Sequence, residues 1–211
     1  MTAPAPAFVT VDDHARRQLA RIARERSEFR RYSHGKSPWK RGLLADNNAS
    51  GPAMGLDLNK AERVIFVGLL GEWAVQQYIN NRFRRPVASV DWANRQGGDR
   101  GVDVSAVGVS LQVKTRTGNY GRTLIRRVDD RRTLQAMQFD IVVSCQSTTP
   151  DRVLLLGWLR RKDLYTKKIA RTTLNVDRPW WNIDVLDADL RTIRSLGEHL
   201  SALVREASNA D

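Results

Sequence analysis

The sequence predicts an α/β fold in which a mixed central sheet of about four to five strands is flanked by helices. Segments with a helical period occur before and after a group of short strand-like segments. The runs FDIVVSC and RVLLLGWL are apolar over almost their whole length, which is typical of strands that are covered on both faces. With 211 residues and a hydrophobic composition of 41%, the chain can bury a substantial core.

The first 58 residues are predicted to form a basic extension to the main domain, which would comprise residues 59–211. Residues 1–9 are rich in Ala and Pro and are predicted to be disordered. An arginine-rich helix is predicted over 11–30, where apolar residues recur at helical spacing. The segment 31–58 contains Gly, Pro, Asn and Ser without a clear period, so we expect a long, flexible basic loop.

The main domain is predicted to open with a helix from Asn59 to about Asn81. Asn59 and Glu62 have the spacing of a capping box, in which each side chain accepts the other residue's backbone N–H. At 100° per residue, Glu72 falls in the middle of an apolar stripe. The apolar members of this stripe are Ile65, Leu69, Val75 and Ile79.

A carboxylate in an apolar stripe needs a partner, because burying an unpaired charge costs several kcal/mol. Gly68 and Gly71 remove side chains beside Glu72, which would leave room for a ligand or let the helix approach a sheet. The sequence leaves two interpretations open: Glu72 binds a cation, or it pairs with a buried arginine.

A tight hairpin is predicted from the segments GVDVSA and VSLQVKTR, with Val107 and Gly108 as a two-residue turn. This register places Asp103 opposite Gln112 and puts both, with Lys114, on one face of the hairpin. The opposite face is wholly apolar, with the pairs Val104–Leu111 and Val102–Val113. Because pattern and turn agree, a shifted register is disfavoured.

The remaining elements are shorter and follow the same rules. A strand is predicted over 87–92 before the hairpin, and a helical or turn segment over 129–138 after it. The two apolar strands are followed by a short helix near 161–169, a strand near 181–186 and a terminal helix over about 195–207.

The charge of the chain indicates a polyanionic partner. A formal net charge of +12 exceeds what solubility requires, and the guanidinium fork of arginine matches phosphate oxygens. Nucleic acid is therefore the expected partner. A solvated basic surface is the alternative that composition alone leaves equally open.

The sequence also predicts a soluble, cytoplasmic protein with no membrane partner. No stretch reaches the apolar length that crosses a bilayer, and MTAPAPAFVT lacks the basic and apolar regions of a signal peptide. The lone Cys145 lies in an apolar run and is expected to be a core residue rather than a catalytic thiol.

The hairpin and the preceding helix resemble the core of the PD-(D/E)xK nuclease superfamily. In that superfamily an Asp and a following (D/E/Q)xK triplet lie on adjacent strands, and an upstream helix often supplies a Glu. Here the corresponding segments are GLLGEW, GGDRGVD and QVK. The superfamily includes members with a QxK triplet, and in this respect the chain resembles Mrr-like restriction enzymes. The resemblance implies a restriction-endonuclease-like core, a DNA endonuclease activity that depends on Mg²⁺ with Mn²⁺ able to substitute, and a homodimer.

The resemblance also implies a role for each site residue. Asp103 would be the principal metal ligand, joined by the Gln112 side-chain carbonyl, the Val113 backbone carbonyl and Glu72 directly or through water. Lys114 would position the attacking water and stabilise the phosphate as its charge develops. Asp91 and Asp99 are reserve carboxylates of lower rank.

A group of arginines after the hairpin is expected to contact the nucleic-acid backbone. Its members are Arg116, Arg122, Arg126, Arg127, Arg131 and Arg132. A neutral amide at Gln112 is a weaker ligand for a hard cation than a carboxylate. Two alternatives follow: a catalytically weak or inactive nucleic-acid-binding protein on the same fold, and a basic assembly protein that binds acidic partners.

Overall fold

A computed structural model describes residues 6–33, 56–93, 102–118, 121–126, 138–172 and 180–208. Within these ranges lie the helices α1 (Asp13–Ser33), α2 (Lys60–Phe83) and α3 (Ile193–Ser208). The strands are β1 (Ala7–Thr10), β2 (Ala88–Ser89), β3 (Val104–Ala106), β4 (Val109–Arg116), β5 (Arg122–Arg126), β6 (Ile141–Thr149), β7 (Arg152–Arg160), β8 (Lys168–Thr172) and β9 (Trp180–Leu186).

The strands form two sheets that confirm the predicted α/β class with a mixed central sheet. The larger sheet has six strands in the order β1-β7-β6-β4-β3-β2, in which β4 and β6 run parallel and all other neighbours are antiparallel. The smaller sheet has three antiparallel strands in the order β5-β9-β8. The central sheet is thus larger than the four to five strands predicted.

The prediction of disorder over residues 1–9 is wrong for the part that forms β1. Phe8 pairs with Leu154, and the strand supplies hydrogen bonds to the edge of β7 that would otherwise be left unpaired. Ala7 and Val9 face the core, whereas Phe8 is exposed beneath the guanidinium of Arg152. The prediction followed the Ala and Pro content of this segment and overlooked the alternation of its side chains, which is typical of a strand.

Helix α1 begins at Asp13, two residues later than predicted, and Asp12 caps it. The Asp12 carboxylate accepts the Ala15 N–H at 2.8 Å, and the Val11 N–H donates to the Asp151 carbonyl at 2.7 Å. The apolar face of α1 packs on α2 and belongs to the same core. The predicted boundary at residue 58 stays a prediction, and residues 34–55 of the predicted loop lie outside the described part.

Helix α2 confirms the predicted capping box and is the central helix of the molecule. Glu62 N–H donates to Asn59 Oδ1 at 3.1 Å, and Asn59 N–H donates to Glu62 Oε2 at 3.0 Å. The helix contacts α1 on one side and strands of the central sheet on the other. It ends at Phe83, after which Arg84 adopts a left-handed conformation with φ 53°.

The hairpin of β3 and β4 has the predicted register. Val107 and Gly108 both have positive φ, 46° and 79°, as a two-residue turn with the right-handed strand twist requires. Ala106 pairs with Val109 and Val104 with Leu111. On the apolar face of the hairpin, Val104, Ala106, Leu111 and Val113 are buried in the main core, and Val109 is partly buried against it.

Two hydrophobic cores lie on opposite faces of the central sheet. The main core lies between the sheet and the helices, and β6 contributes Val143 to it. The second core lies between the central sheet and the smaller sheet. The neighbour of Val143 in β6, Val142, belongs to this core together with Leu159 and Ile183. Alternation along each strand therefore serves both cores.

Some shorter elements differ from the prediction. The strand predicted over 87–92 is reduced to Ala88–Ser89, and the helix predicted near 161–169 is a 3-10 helix, Arg161–Thr166, that leads into β8. The predicted segment 129–138 falls almost entirely outside the described residues. None of the helices in the described ranges has the length and apolar character that crossing a membrane needs.

Candidate active site

The candidate site is centred on Val113, where the regular pairing between β3 and β4 ends. The Asp103 carboxylate accepts the Val113 N–H at 2.6 Å, and the Asp103 N–H donates to the Leu111 carbonyl at 2.8 Å. The predicted pair of Val102 with Val113 is therefore not formed, because the carboxylate takes the place of a ladder acceptor. Asp103 still lies beside Gln112 and Val113, but as a side-chain cap on β4 rather than as a member of β3.

The regular pairing of β3 with β4 ends at the Val104–Leu111 pair. Beyond Leu111, the edge of β4 that faces β3 is no longer covered by that strand. In a β-strand the N–H and C=O of one residue point to the same edge. The Val113 carbonyl oxygen therefore faces the side on which the Asp103 carboxylate lies, as the implied backbone ligand requires.

Glu72 lies on the side of α2 that faces the sheet. A Cβ added at the neighbouring Gly71 would overlap the Thr115 side chain and lie 3.2 Å from Val113 Cγ1, so the helix packs closely on β4. One turn later, Gln76 Nε2 donates to the Ala88 carbonyl in β2 at 3.3 Å. Because Glu72 lies between these two contacts, it is directed to the hairpin, and it is half-buried there.

Gln112 and Lys114 point to the opposite face of the sheet. Val113 and Thr115 face α2, so strand alternation directs the side chains of Gln112 and Lys114 away from that helix. The Gln112 Oε1 atom is buried and has no hydrogen-bond partner among the described residues. A buried amide oxygen without a partner costs about 1–3 kcal/mol, so this atom is suited to a ligand.

The structure therefore places Asp103 beside Gln112 and Val113 on β4, whereas Glu72 belongs to the helix that packs on the other face of that strand. Asp103 contacts the backbone between Gln112 and Lys114, and Glu72 approaches from the helical face. The stretch of β4 after Leu111, where β3 no longer pairs with it, is therefore the candidate site.

The donor set fits a magnesium ion in its chemistry. All four implied donors are oxygens, and Mg²⁺ is usually held by one or two carboxylates with water and substrate in the remaining positions. A carboxylate has about four lone-pair positions, so accepting the Val113 N–H leaves Asp103 able to bind a cation. The described ranges contain no group of three or more His, Cys, Asp or Glu placed to hold a metal, so the neutral oxygens are essential to this interpretation.

Arg116 was predicted to contact nucleic acid, and in the structure it has partners within the chain. Its guanidinium forms a bidentate ion pair with Asp187, at 2.8 and 2.5 Å, and donates to the Arg122 carbonyl at 2.7 Å. Its side chain is only 11% exposed. We therefore assign Arg116 to joining the two sheets, because its planar fork is already occupied within the chain.

The other predicted phosphate contacts remain predictions. Arg122 is exposed and lies 3.4 Å from Asp184, so its guanidinium is accessible. The Arg126 side chain lies outside the described part of the structure. The same holds for Arg127, Arg131, Arg132 and Asp99.

Some polar contacts near the site were missed by sequence reasoning. Besides the Arg116–Asp187 pair, the hydroxyls of Thr123 and Ser144 share a buried hydrogen bond of 2.5 Å, and Ser144 pairs in register with Lys114. No local signal predicts these contacts, because the partners are far apart in the chain. The reserve carboxylate Asp91 accepts the Ala93 N–H at 3.1 Å, which is a turn contact.

The thiol and the histidines add no second site. Cys145 is fully buried as predicted, and burial raises the pKa of its thiol, which keeps it unreactive. His199 stacks on Trp158 with ring centroids 5.1 Å apart, and burial together with the charges of Arg160 and Arg191 lowers the pKa of its imidazole. His14 is exposed on α1.

Comparisons with known proteins give the chain no relative. Family models of proteins, curated proteins and solved structures were all compared with it, and none matches. What the site can do is therefore inferred from its own residues and their geometry.

Proposed function

We propose that the protein is a metal-dependent nuclease, and specifically a DNA endonuclease that hydrolyses phosphodiester bonds with a restriction-endonuclease-like core. The observation that supports this most directly is the juxtaposition on β4. The Asp103 carboxylate is fixed on the Val113 amide, and the preceding residue, Gln112, has a buried side-chain oxygen without a partner in the described part. Helix α2 adds Glu72 from above the hairpin, in the order that the superfamily resemblance implies.

The residues divide into those that hold a cation and one that acts on the substrate. Asp103, Gln112 Oε1, the Val113 carbonyl and Glu72 would hold Mg²⁺. When bound, Mg²⁺ neutralises charge on the phosphate and makes a bound water more acidic. Lys114 follows Val113 and shares a face with Gln112, so its ammonium can orient water and stabilise the negative charge that develops on the phosphate.

The test compares two aspartates that make the same backbone contact. Asp103 accepts the Val113 N–H at 2.6 Å, and Asp140 accepts the Ser110 N–H of the same strand at 3.0 Å. Each Asp→Asn change keeps an oxygen acceptor and removes one charge. We expect Asp103→Asn to lower Mg²⁺-dependent nicking of supercoiled plasmid at least 100-fold and Asp140→Asn to change it less than twofold, as orders of magnitude for a lost metal ligand.

Lys114→Ala is expected to lower the nicking rate by a similar factor while leaving Mn²⁺ binding unchanged. Absence of Mg²⁺-dependent cleavage of plasmid, linear duplex and single-stranded DNA by the wild-type protein would reject the proposal. Equal losses in both asparagine variants would also reject it, since they would show that only folding was affected.

A second candidate is a nucleic-acid-binding protein without cleavage activity. The neutral amide of Gln112 favours it, because an amide oxygen binds a hard dication less well than a carboxylate. Gln112→Glu separates the two candidates. For the nuclease we expect tighter Mn²⁺ binding in titration calorimetry and no loss of nicking, whereas the binding protein would bind no Mn²⁺ before or after the change.

A further inference from the structure

Four exposed arginines lie together where α2 ends and α3 begins. We refer to Arg82, Arg84, Arg85 and Arg194 as the basic corner. All four side chains are exposed, and that of Arg194 is 87% exposed. None of them belongs to the arginine group that the sequence predicted to contact nucleic acid.

The two helices are fixed to each other at this corner. The Tyr78 hydroxyl of α2 donates to the Ile193 carbonyl at the start of α3, at 3.2 Å. The stem of Arg82 lies over Gly197 of α3, where an added Cβ would be 3.0 Å from Arg82 Cγ and 3.2 Å from Nε. Arg82 and Arg194 thus flank Tyr78, and their charges oppose the burial that raises the pKa of its hydroxyl.

The backbone that carries Arg84 and Arg85 is also held in place. The Arg84 N–H donates to carbonyls at the end of α2, and the Arg85 N–H donates to the Asn80 carbonyl at 3.2 Å. Asn80 Oδ1 then accepts the N–H groups of Val87 and Ala88, each at 2.8 Å. The turn is therefore clamped between the helix and β2, so its arginines are presented from a fixed backbone.

The charge of the corner is not balanced within the described residues. Arg194 lies 3.6 Å from Glu198 on the exposed surface of α3, a weak contact. Within the described ranges, no carboxylate forms an ion pair with Arg82, Arg84 or Arg85. Arg116 and Arg160, by contrast, are each paired with a carboxylate of the chain.

We propose that the basic corner binds the phosphodiester backbone of nucleic acid. Guanidinium groups match phosphate oxygens in geometry, and a fixed backbone reduces the entropy lost when they bind. The proposal deepens the nucleic-acid part of the proposed function but does not depend on cleavage. It assigns to α2 and α3 a contact that the sequence assigned to the segment after the hairpin.

The test compares two double variants that remove the same charge. Arg84→Gln with Arg85→Gln alters the corner, and Arg17→Gln with Arg21→Gln alters exposed arginines of α1. The helices that carry these arginines begin at opposite ends of β7. Helix α1 follows Val11, whose N–H donates to the Asp151 carbonyl just before β7. Helix α3, which forms part of the corner, follows Arg191, which exchanges backbone hydrogen bonds with Trp158 near the end of β7. Both pairs are placed in the Asp103→Asn background, without divalent metal.

The measurement is fluorescence anisotropy of a labelled 20-base-pair duplex at several salt concentrations. Each phosphate contact contributes about 0.9 to the slope of log K against log salt. We expect the corner variant to reduce this slope by about 2 and to weaken binding at least tenfold at 100 mM salt, whereas the α1 variant leaves the slope within about 0.3 of the parent.

Three results would overturn the proposal. The first is an equal salt slope for the corner variant and the parent, and the second is an equal reduction of the slope in the corner and α1 variants. The third is an absence of duplex binding together with corner-dependent binding of anionic phospholipid vesicles. The third result would identify a membrane surface as the partner. Corner-dependent duplex binding by a protein that never cleaves DNA would sustain this inference and reject the nuclease.

Discussion

Gly68 and Gly71 lie one turn apart on the side of α2 near Glu72, and the structure gives them different roles. Gly71 allows the helix to approach β4, because a Cβ there would overlap Thr115. At Gly68 an added Cβ would have no atom of the described residues within 4 Å. Side chains of a helix lean toward its N-terminus, so Glu72 is directed toward the open turn at Gly68. From sequence alone, both glycines fit either close packing or room for a ligand.

The two glycine substitutions should therefore change stability in opposite directions. We expect Gly71→Ala to lower the free energy of unfolding by about 1–3 kcal/mol through overpacking. Gly68→Ala should raise it by up to about 1 kcal/mol, because alanine favours helix and meets no neighbour. Urea unfolding of both variants measures this. Destabilisation of similar size in both would contradict the assignment.

The individual site residues were predictable to different degrees. Asp103 and Gln112 followed from a short hairpin, whose register depends on the turn and on an alternating pattern. The carboxylate contact with the Val113 amide did not follow, since a regular ladder was the simpler expectation. The ion pair of Arg116 with Asp187 did not follow either, because the two residues are distant in the chain and only the tertiary fold brings them together.

At the scale of elements, the predictable ones have strong local signals. The capping box fixed the start of α2, and the continuous apolar runs indicated β6 and β7. The missed strands β5 and β8 have the sequences RTLIR and KIART, in which basic residues interrupt a short apolar pattern. They are strands because both pair with β9, and such long-range pairing is not encoded in either segment alone.

The 3-10 helix Arg161–Thr166 is held in place by contacts of Asp163 with residues outside the helix. Asp163 accepts the Arg160 N–H at 3.2 Å and forms ion pairs with the guanidinium groups of Arg160 and Arg191, each at 3.2 Å. Burial acts to raise the pKa of the Asp163 carboxyl, but these hydrogen bonds and charges outweigh it and lower the pKa below its ordinary value.

Asp163→Asn should therefore destabilise the protein at neutral pH. Because the folded pKa is depressed, the carboxylate's stabilisation is fully present above its unfolded pKa of about 3.9 and is lost as the pH falls through the folded pKa. We expect a loss of about 1–2 kcal/mol at pH 7, measured by chemical unfolding, that shrinks below about pH 4. Asp189→Asn removes a more exposed carboxylate, which pairs with Lys167, and serves as a control that should cost less than about 0.5 kcal/mol.

At the scale of the whole molecule, the central sheet joins both cores. Neighbouring residues of one strand face different cores, as Val142 and Val143 do in β6 and Leu159 and Trp158 do in β7. Neither core can lose its sheet wall without exposing the other. The Arg116–Asp187 pair adds a polar link between the two sheets.

Arg116→Gln should reveal this link as a contribution to stability. Removing one partner of a largely buried pair leaves the other charge uncompensated, and we expect a loss of about 2–3 kcal/mol, since Asp187 retains 30% exposure. The slope of duplex binding against salt should stay as in the parent, because this guanidinium is paired within the chain. A reduced salt slope without a loss of stability would indicate instead that Arg116 contacts nucleic acid.

The shared sheet also determines how the molecule unfolds. Leu159→Ala opens a cavity in the second core, where Leu159 is 3% exposed, and should cost about 2–5 kcal/mol. Because β7 also forms a wall of the main core, we expect native-state hydrogen exchange to show the same loss of protection for amides of α2 and of β9. A matched Leu70→Ala variant in the main core should give the same paired response. A loss confined to β9 in the first variant would instead show that the smaller sheet unfolds by itself while the helices and the candidate site stay folded.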